Sequence, residues 1–324
     1  MVSLEKNDPA VNYLRSADPV YGGDLVKWIK FINTLQLRYV VRMTGIDPST
    51  AKYLSSEIIG KSKFGFIESP EETAWYHLDA GQVNPYYSAA NSSDGGDFRI
   101  SADLVTHMLT DPRIQAYATK VTEGPDEGVY MGVRNGVEKD FQTQAGHNLL
   151  SNVNIGKHDP LLIMSASESF FLRAECAARG WIGGDAKQLY ENGIKASFAE
   201  RNLRIEDAFE YLANSANPTG YNCKSYPEEN CDPVNKVTLG VYEGGFESAI
   251  AQILTQKWIA NFPNGWETWA DFRRIGLPAH FPVIDNKSEN SIGGPVDSMT
   301  GMMRLPFPPS LSVANREAYE QALS

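Results

Sequence analysis

Residues 161–200 read "LLIMSASESFFLRAECAARGWIGGDAKQLYENGIKASFAE", two stretches of helical period on either side of a glycine-rich break. Phe170, Phe171, Ala174, Ala177, Ala178 and Trp181 form one apolar stripe. Ala186, Tyr190, Ile194 and Phe198 form the next, one helix turn apart. Gly180, Gly183 and Gly184 supply the turn, and Asp185 stands where a helix cap belongs. The segment therefore predicts a pair of antiparallel helices.

A hairpin of this length, with small residues where the two helices approach, resembles a tetratricopeptide unit, although a single copy is visible. Working outward, residues 23–43 place Leu25, Trp28, Ile32, Leu35, Tyr39 and Met43 at spacings of three and four. Lys27, Lys30, Thr34, Arg38 and Arg42 form the opposite stripe, which predicts a long amphipathic helix stopped by Gly45 and Pro48. Further helices are expected over 101–109, 205–213, 244–261 and 266–274. Residues 45–100 lose this periodicity and read as loop, with a short helix after Ser69-Pro70-Glu71-Glu72. Residues 119–160 read as irregular, with a hairpin around Tyr130 to Val133, and the tail from Ile275 is rich in proline. The expected fold class is mostly α, with helix pairs packed against a loop-rich region.

Composition narrows the function. The 324 residues are enough for a sizeable core, and they carry a net charge of −11 with a pI near 5.0. No basic surface is left from which a phosphate backbone could draw affinity, so nucleic acid is not an expected partner. The same charge disfavours anionic lipids and acidic polysaccharides and leaves neutral ligands as the best fit. The first twenty residues contain no apolar signal region, and no run of about twenty apolar residues follows. The five histidines are scattered, and no HExxH, nucleophile elbow, Walker loop or Cys-His zinc pattern occurs, so neither metal nor cofactor is expected. Cys176 reads as a small core residue. Cys223 and Cys231 bracket a short loop that a disulfide in an oxidising compartment would close, worth roughly 2–3 kcal/mol.

Aromatic residues then divide by context. "KWIANFPNGWETWADFRRIGLP", residues 257–278, sets Trp258, Trp266, Trp269 and Phe272 on helices, which predicts inward, structural indoles. Rings in stretches without periodicity are the better ligand platform, because a flat apolar face with a polar tip suits a sugar ring. These are Trp75 and Tyr76 in "TAWYHL", and Tyr86 and Tyr87 in "NPYYSAANSSDGGD", with Asn84, Asn91 and Asp94 as hydrogen-bonding neighbours; the alternative is that the rings pin the long loop onto the helices. Asp94 and Asp97 flank Gly95-Gly96, but without the EF-hand pattern they read as a solvated turn rather than a calcium loop.

Four segments, "DPVYGGDLVKWIKFINTLQLRYVVRM", "DPRI" at 111–114, "SASESFFLRAECAARGW…LYENGIKASF" and "ILTQKWIANFPNGWETWADFRRIGLP", are similar in this order to the SusD/RagB family, and within it to the SusD-like branch of Bacteroidetes. The resemblance implies a single SusD-like domain over 1–324, built from tetratricopeptide-like helix pairs and a loop-rich ligand region. It implies a non-catalytic lipoprotein on the external face of the outer membrane, which binds oligosaccharide or polysaccharide and passes it to a SusC-like TonB-dependent transporter. The family's signal peptide, lipid-bearing cysteine and first helices have no counterpart in the sequence, so the chain reads as the middle and carboxy-terminal portion of such a protein. Alternatives are a peptide-binding member of the same family, a helical scaffold that binds only protein, and, more distantly, a glycosidase.

Overall fold

Residues 161–200 fold as their periodicity predicts. In the computed structural model, which describes residues 15–91, 99–136, 149–214, 237–283, 286–288, 296–305 and 307–323, they form a short strand followed by two antiparallel helices. The helices in chain order are α1 (Leu25–Arg42), α2 (Pro48–Lys61), α3 (Pro85–Ala90), α4 (Ala102–His107), α5 (Ile114–Tyr117), α6 (Ala166–Ala178), α7 (Ala186–Glu200), α8 (Ile205–Leu212), α9 (Phe246–Ala260), α10 (Gly265–Ile275), α11 (Pro309–Ala314) and α12 (Arg316–Leu323). Strands β1 (Ala74–Tyr76) and β2 (Leu161–Met164) pair antiparallel, with Ala74 opposite Met164 and Tyr76 opposite Leu161. The fold is mostly α with few strands, and its helix pairs are of the tetratricopeptide-like kind.

The hairpin α6–α7 is the centre of the molecule. Ser165 starts α6 by accepting the Glu168 N–H at 2.9 Å, and Asp185 starts α7 by accepting the Lys187 N–H at 2.9 Å. A Cβ on Gly193 would stand 2.6 Å from the Phe171 ring, so the close approach of the two helices requires a residue without a side chain there. Helix α9 packs on the pair, and Phe171, Tyr190, Ile194, Phe198 and Ile253 close the main core with Met108 and Tyr117 from the 102–117 region.

A charged lattice runs through this core. Arg113 is fully buried and donates to both oxygens of Asp111 at 2.5–3.1 Å, to Ser197 Oγ at 2.9 Å and to Gln256 Oε1 at 2.6 Å. Arg38 of α1 grips Glu168 of α6 through two bonds of 2.8 and 2.6 Å. Lys257 of α9 meets Asp271 of α10 at 2.7 Å, and Arg274 of α10 meets Glu175 of α6 at 2.6 and 2.9 Å. Burial by itself would lower the pKa of Arg38, but the charge and hydrogen bonds of Glu168 overcome it and hold the guanidinium up. Each of the four segments quoted for the family resemblance contributes members to this lattice, which explains in physical terms why those residues occur together.

Several expectations need correction. The amphipathic reading of α1 is inverted in part: Thr34 and Arg38 of the polar stripe are buried, whereas Leu25, Ile32 and Tyr39 are 46%, 48% and 56% exposed. The inward face is Thr34, Leu37, Arg38, Val40 and Val41, so apolar residues outside the expected stripe carry the packing and Arg38 turns with them toward the buried Glu168. Residues 48–61 form α2 rather than loop, started by Asp47, which accepts the Thr50 N–H at 3.0 Å, with Pro48 at the first helical position. Trp266 is not inward but 68% exposed, edge-on to Trp269 with ring centres 5.8 Å apart. Trp269 is half-buried and its indole N–H donates to the Met302 carbonyl at 2.8 Å. The chain reversal expected at 130–133 lies earlier, where Val121 exchanges backbone bonds with Gly128 and Val129 at 3.0 and 2.9 Å, while Val133 bridges to Ser101. Cys176 is buried and its thiol is pushed up to about 12, chiefly by desolvation. Asp94, Asp97, Cys223 and Cys231 lie outside the described residues. Among the described residues no helix is long and apolar enough to cross a membrane.

Candidate functional site

The β1–β2 pair lays the 74–91 stretch beside residues 152–162 and sets Trp75 opposite Leu162. Asn84 then starts α3: its Oδ1 accepts from the Tyr86 and Tyr87 N–H groups at 2.9 and 3.4 Å, and its Nδ2 donates to the Asp159 carbonyl at 3.0 Å. The Asn84 N–H donates to the Lys157 carbonyl at 2.9 Å, so the short helix is pinned to the 157–159 turn. Neighbouring residues on a helix point about 100° apart. Tyr86 and Tyr87, both half-buried, accordingly serve different parts of one cleft.

Three chambers make up that cleft, and Ile155 lines all of them. The first, of 660 Å³, is lined by Trp75, Asn84, Tyr86, Asp159, Glu200 and Arg201 among others. Arg201 lies 4.7 Å from the Tyr117 ring centre and 5.8 Å from that of Trp75, and it donates to the Phe262 carbonyl. Glu200 is held by the protein itself: Oε1 accepts from Thr73 Oγ1 and from the Ala166 N–H at 2.7 Å, and Oε2 accepts from Ser167 Oγ at 2.7 Å. Desolvation raises its pKa against the pull of those hydroxyls. Asp159 Oδ2 accepts the Gly156 N–H at 2.6 Å. Among the described residues the acidic side chains of the first chamber are these two, Glu200 engaged through both oxygens and Asp159 through Oδ2.

The second chamber, of 330 Å³, is walled by Ile100, Leu104, Val153 and Trp258, and it shares Tyr86, Ile155, Phe262 and Pro263 with the first. Ser101, Asn264 and Thr268 complete its lining with Arg99 and Gly265. The third, also of 330 Å³, is mixed, lined by Tyr87, Asn91, Lys120, Asn152 and Asn154 on its polar part and by Leu150, Val153 and Ile155 on its apolar part.

The structure brings Trp75, Asn84 and Tyr86 together in the first chamber and Tyr87 and Asn91 in the third; Tyr76 lines none of the three. Asn84 is 2% exposed with its amide already engaged, so it positions α3 rather than offering free polar groups. Asn91 closes α3 by donating to the Tyr87 carbonyl at 3.0 Å and stays exposed. The tyrosines do not sit on a bare loop, as their neighbours suggested, but on a one-and-a-half-turn helix. Sequence reading missed Asn152, Asn154 and Asp159, although "NVNIGKHDP" at 152–160 has the turn chemistry of a functional loop. It also missed Glu200 and Arg201 at the end of a helix, and it assigned Trp258 to the core alone. Trp258 does pack on the core, and it walls the second chamber as well.

The family model described as SusD-like, Susd and RagB outer membrane lipoprotein, matches residues 1–324, and the chain belongs to this family. Among solved structures, a SusD homologue from Bacteroides thetaiotaomicron is similar at 33% identity with a TM-score of 0.83, over 99% of this chain and 64% of that one. A chitin-binding SusD homologue from Flavobacterium johnsoniae gives 33% identity and a TM-score of 0.83, over 96% of this chain and 63% of that one. A SusD homologue from Bacteroides uniformis gives 31% and 0.83, over 95% and 63%. The chain thus spans just under two thirds of the length of these structures. A comparison with curated proteins returns no match.

Proposed function

We propose that this chain is the glycan-binding part of a non-catalytic outer-membrane nutrient receptor, which holds an oligosaccharide in the three-chambered cleft and delivers it to a SusC-like TonB-dependent transporter. The observation that carries the reading is that the rings Trp75 and Tyr86 line the first chamber and Tyr87 the third, which share Asn154 and Ile155 and whose remaining walls supply amides, hydroxyls and a guanidinium. Stacking on such rings and fixed polar groups suffices to bind a neutral sugar. The chitin-binding relative at 33% identity supports the same ligand class. Binding without bond breaking is supported by Glu200: a glycosidase needs one carboxyl free to protonate and another free to attack or to activate water, and both oxygens of Glu200 are engaged by Thr73, Ala166 and Ser167. The family description supports an outer-membrane location.

Calorimetry or affinity electrophoresis across a panel of neutral polysaccharides tests the site. Trp75→Ala and Tyr86→Ala are expected to weaken binding of the retained glycan about tenfold each, the loss of a buried aromatic contact. Parent-like affinity in both variants would place the site elsewhere. A second reading, a scaffold that binds only protein, draws on the exposed Leu25, Ile32 and Tyr39 at seven-residue intervals along α1. Retention of no glycan together with stable co-purification with a transporter would favour it.

A further inference from the structure

We infer that the second chamber is a subsite for the acyl group of an N-acetylated amino sugar, so that the cleft selects N-acetylated saccharide chains over unsubstituted glucans and over the same chains without their acetyl groups. The inference rests on the glycan reading above and adds the class of sugar. Its ground is the contrast between two chambers that share a wall. Around Trp75 the cleft offers a guanidinium, amides and backbone to hydroxyl groups. Past Tyr86 it closes on Ile100, Leu104, Val153, Ile155, Trp258 and Phe262. A sugar hydroxyl seated there without a partner costs about 1–3 kcal/mol. An acetamido group seats a methyl against that wall, and its amide reaches back toward the side of the chamber where Asn264 and Thr268 stand.

Size and charge narrow the occupant further. At 330 Å³ the chamber lies at the small end of ligand pockets, roughly 300–1,000 Å³, and takes the acetamido group with the edge of the ring that carries it, while the rest of the saccharide lies toward the first chamber. A net charge of −11 draws any cationic saccharide toward the surface at long range. The chamber itself works the other way, since among the described residues the charged side chain lining it is Arg99, and an ammonium placed among apolar walls is disfavoured. Removing the acetyl groups is therefore the sharpest comparison, because the long-range field and the local wall predict opposite outcomes.

Calorimetry with chitotetraose, its fully de-N-acetylated counterpart and cellotetraose decides the matter, since the three share length and linkage. Chitotetraose is expected to bind at least about tenfold more tightly than either of the others, the discrimination one apolar group in a fitted pocket gives. Thr268→Phe, which fills the chamber from the surface of α10, is expected to reduce chitotetraose affinity about fivefold or more, and an unchanged chitotetraose affinity in a folded variant would overturn the inference. Similar affinities for all three sugars overturn the inference and leave the glycan reading standing, as does binding of none of the three when another polysaccharide of the panel is retained. Retention of no glycan at all overturns both. Should Thr268→Phe fail to fold, judged by circular dichroism, the three-sugar comparison on the unaltered chain decides alone.

Discussion

His107 shows how a single residue carries a pH dependence that its helix position does not announce. It is 4% exposed, its Nδ1 makes no hydrogen bond, and its ring meets the edge of Trp258 at 5.7 Å. Burial pulls its pKa down to about 4; Asp103 opposes that shift, and His280, whose ring also packs on Trp258, adds to it. The folded protein therefore prefers the neutral imidazole. In the unfolded chain the ring takes a proton near pH 6.5, so the stability this preference provides is complete above that value and is lost as pH falls from there toward 4. Between pH 7 and pH 5 the loss is expected to be about 2 kcal/mol. Urea unfolding at the two pH values checks it, with His107→Phe as the comparison: the variant keeps an edge-to-face ring and is expected to lose the slope across that interval. An unchanged slope would assign the acid response to other groups.

Helix α1 turns a charge inward, and this sets both its stability and the limit of what the sequence discloses. Arg38 and Glu168 are 5% and 1% exposed, with Lys257 a further 3.8 Å from Glu168 and Glu267 3.4 Å from Arg38. Removing one partner of such a pair leaves a buried charge without compensation, so Arg38→Met is expected to cost about 3–5 kcal/mol in urea unfolding. Arg38→Met combined with Glu168→Gln is expected to recover part of that loss, because the stranded carboxylate goes with its partner. Equal destabilisation of the single and double variants would show that packing of the Arg38 stem, not its charge, matters. The same helix explains what was legible. The α6–α7 hairpin, α9 and α10 could be read because apolar spacing, capping residues and glycine breaks agree there. The face of α1 could not, since Leu37, Val40 and Val41 offer a second apolar set beside the expected stripe, and periodicity does not say which set meets the core and the Glu168 counter-charge contributed from 130 positions away. Helix α3 was hidden for a different reason: with six residues it is too short to show a period, and only Asn84-Pro85 marks its start. Of the cleft, the rings Trp75, Tyr86 and Tyr87 were legible as aromatics without an apolar stripe. Ile155, Phe262 and Arg201 were not, since they reach it from three separate stretches that only the tertiary fold unites.

Across the whole molecule, the charged lattice fastens α1, α6, α9 and α10 to one another, while the cleft is built where the loop-rich part meets them at β1, α3 and the end of α7. The lattice should then govern unfolding in acid at lower pH than His107 does. Glu175 accepts from Arg274 at 2.6 and 2.9 Å and from Arg179 at 2.9 Å, and Asp271 lies 2.7 Å from Lys257 and 3.2 Å from Arg274. Desolvation pushes both carboxyls up, but Arg274 and Lys257 outweigh it and leave both below their ordinary values. Folded pKa values depressed in this way contribute stability that is fully present above the unfolded values of 4.5 and 3.8 and disappears as pH falls through the folded ones. Glu200 has the opposite sign, because its raised pKa gives stability at low pH that is lost as pH rises through the folded value, so it partly offsets the pair in the same acid range. Since two lattice carboxyls oppose one, the unfolding temperature is expected to drop steeply below about pH 4.5. Glu175→Gln is expected to melt lower than the parent at pH 7, with a shallower fall in acid, because the charge whose protonation drives the fall is already gone. Melting curves from pH 7 to pH 3 read both effects, and a variant that starts lower yet falls as steeply as the parent would remove Glu175 from the cause.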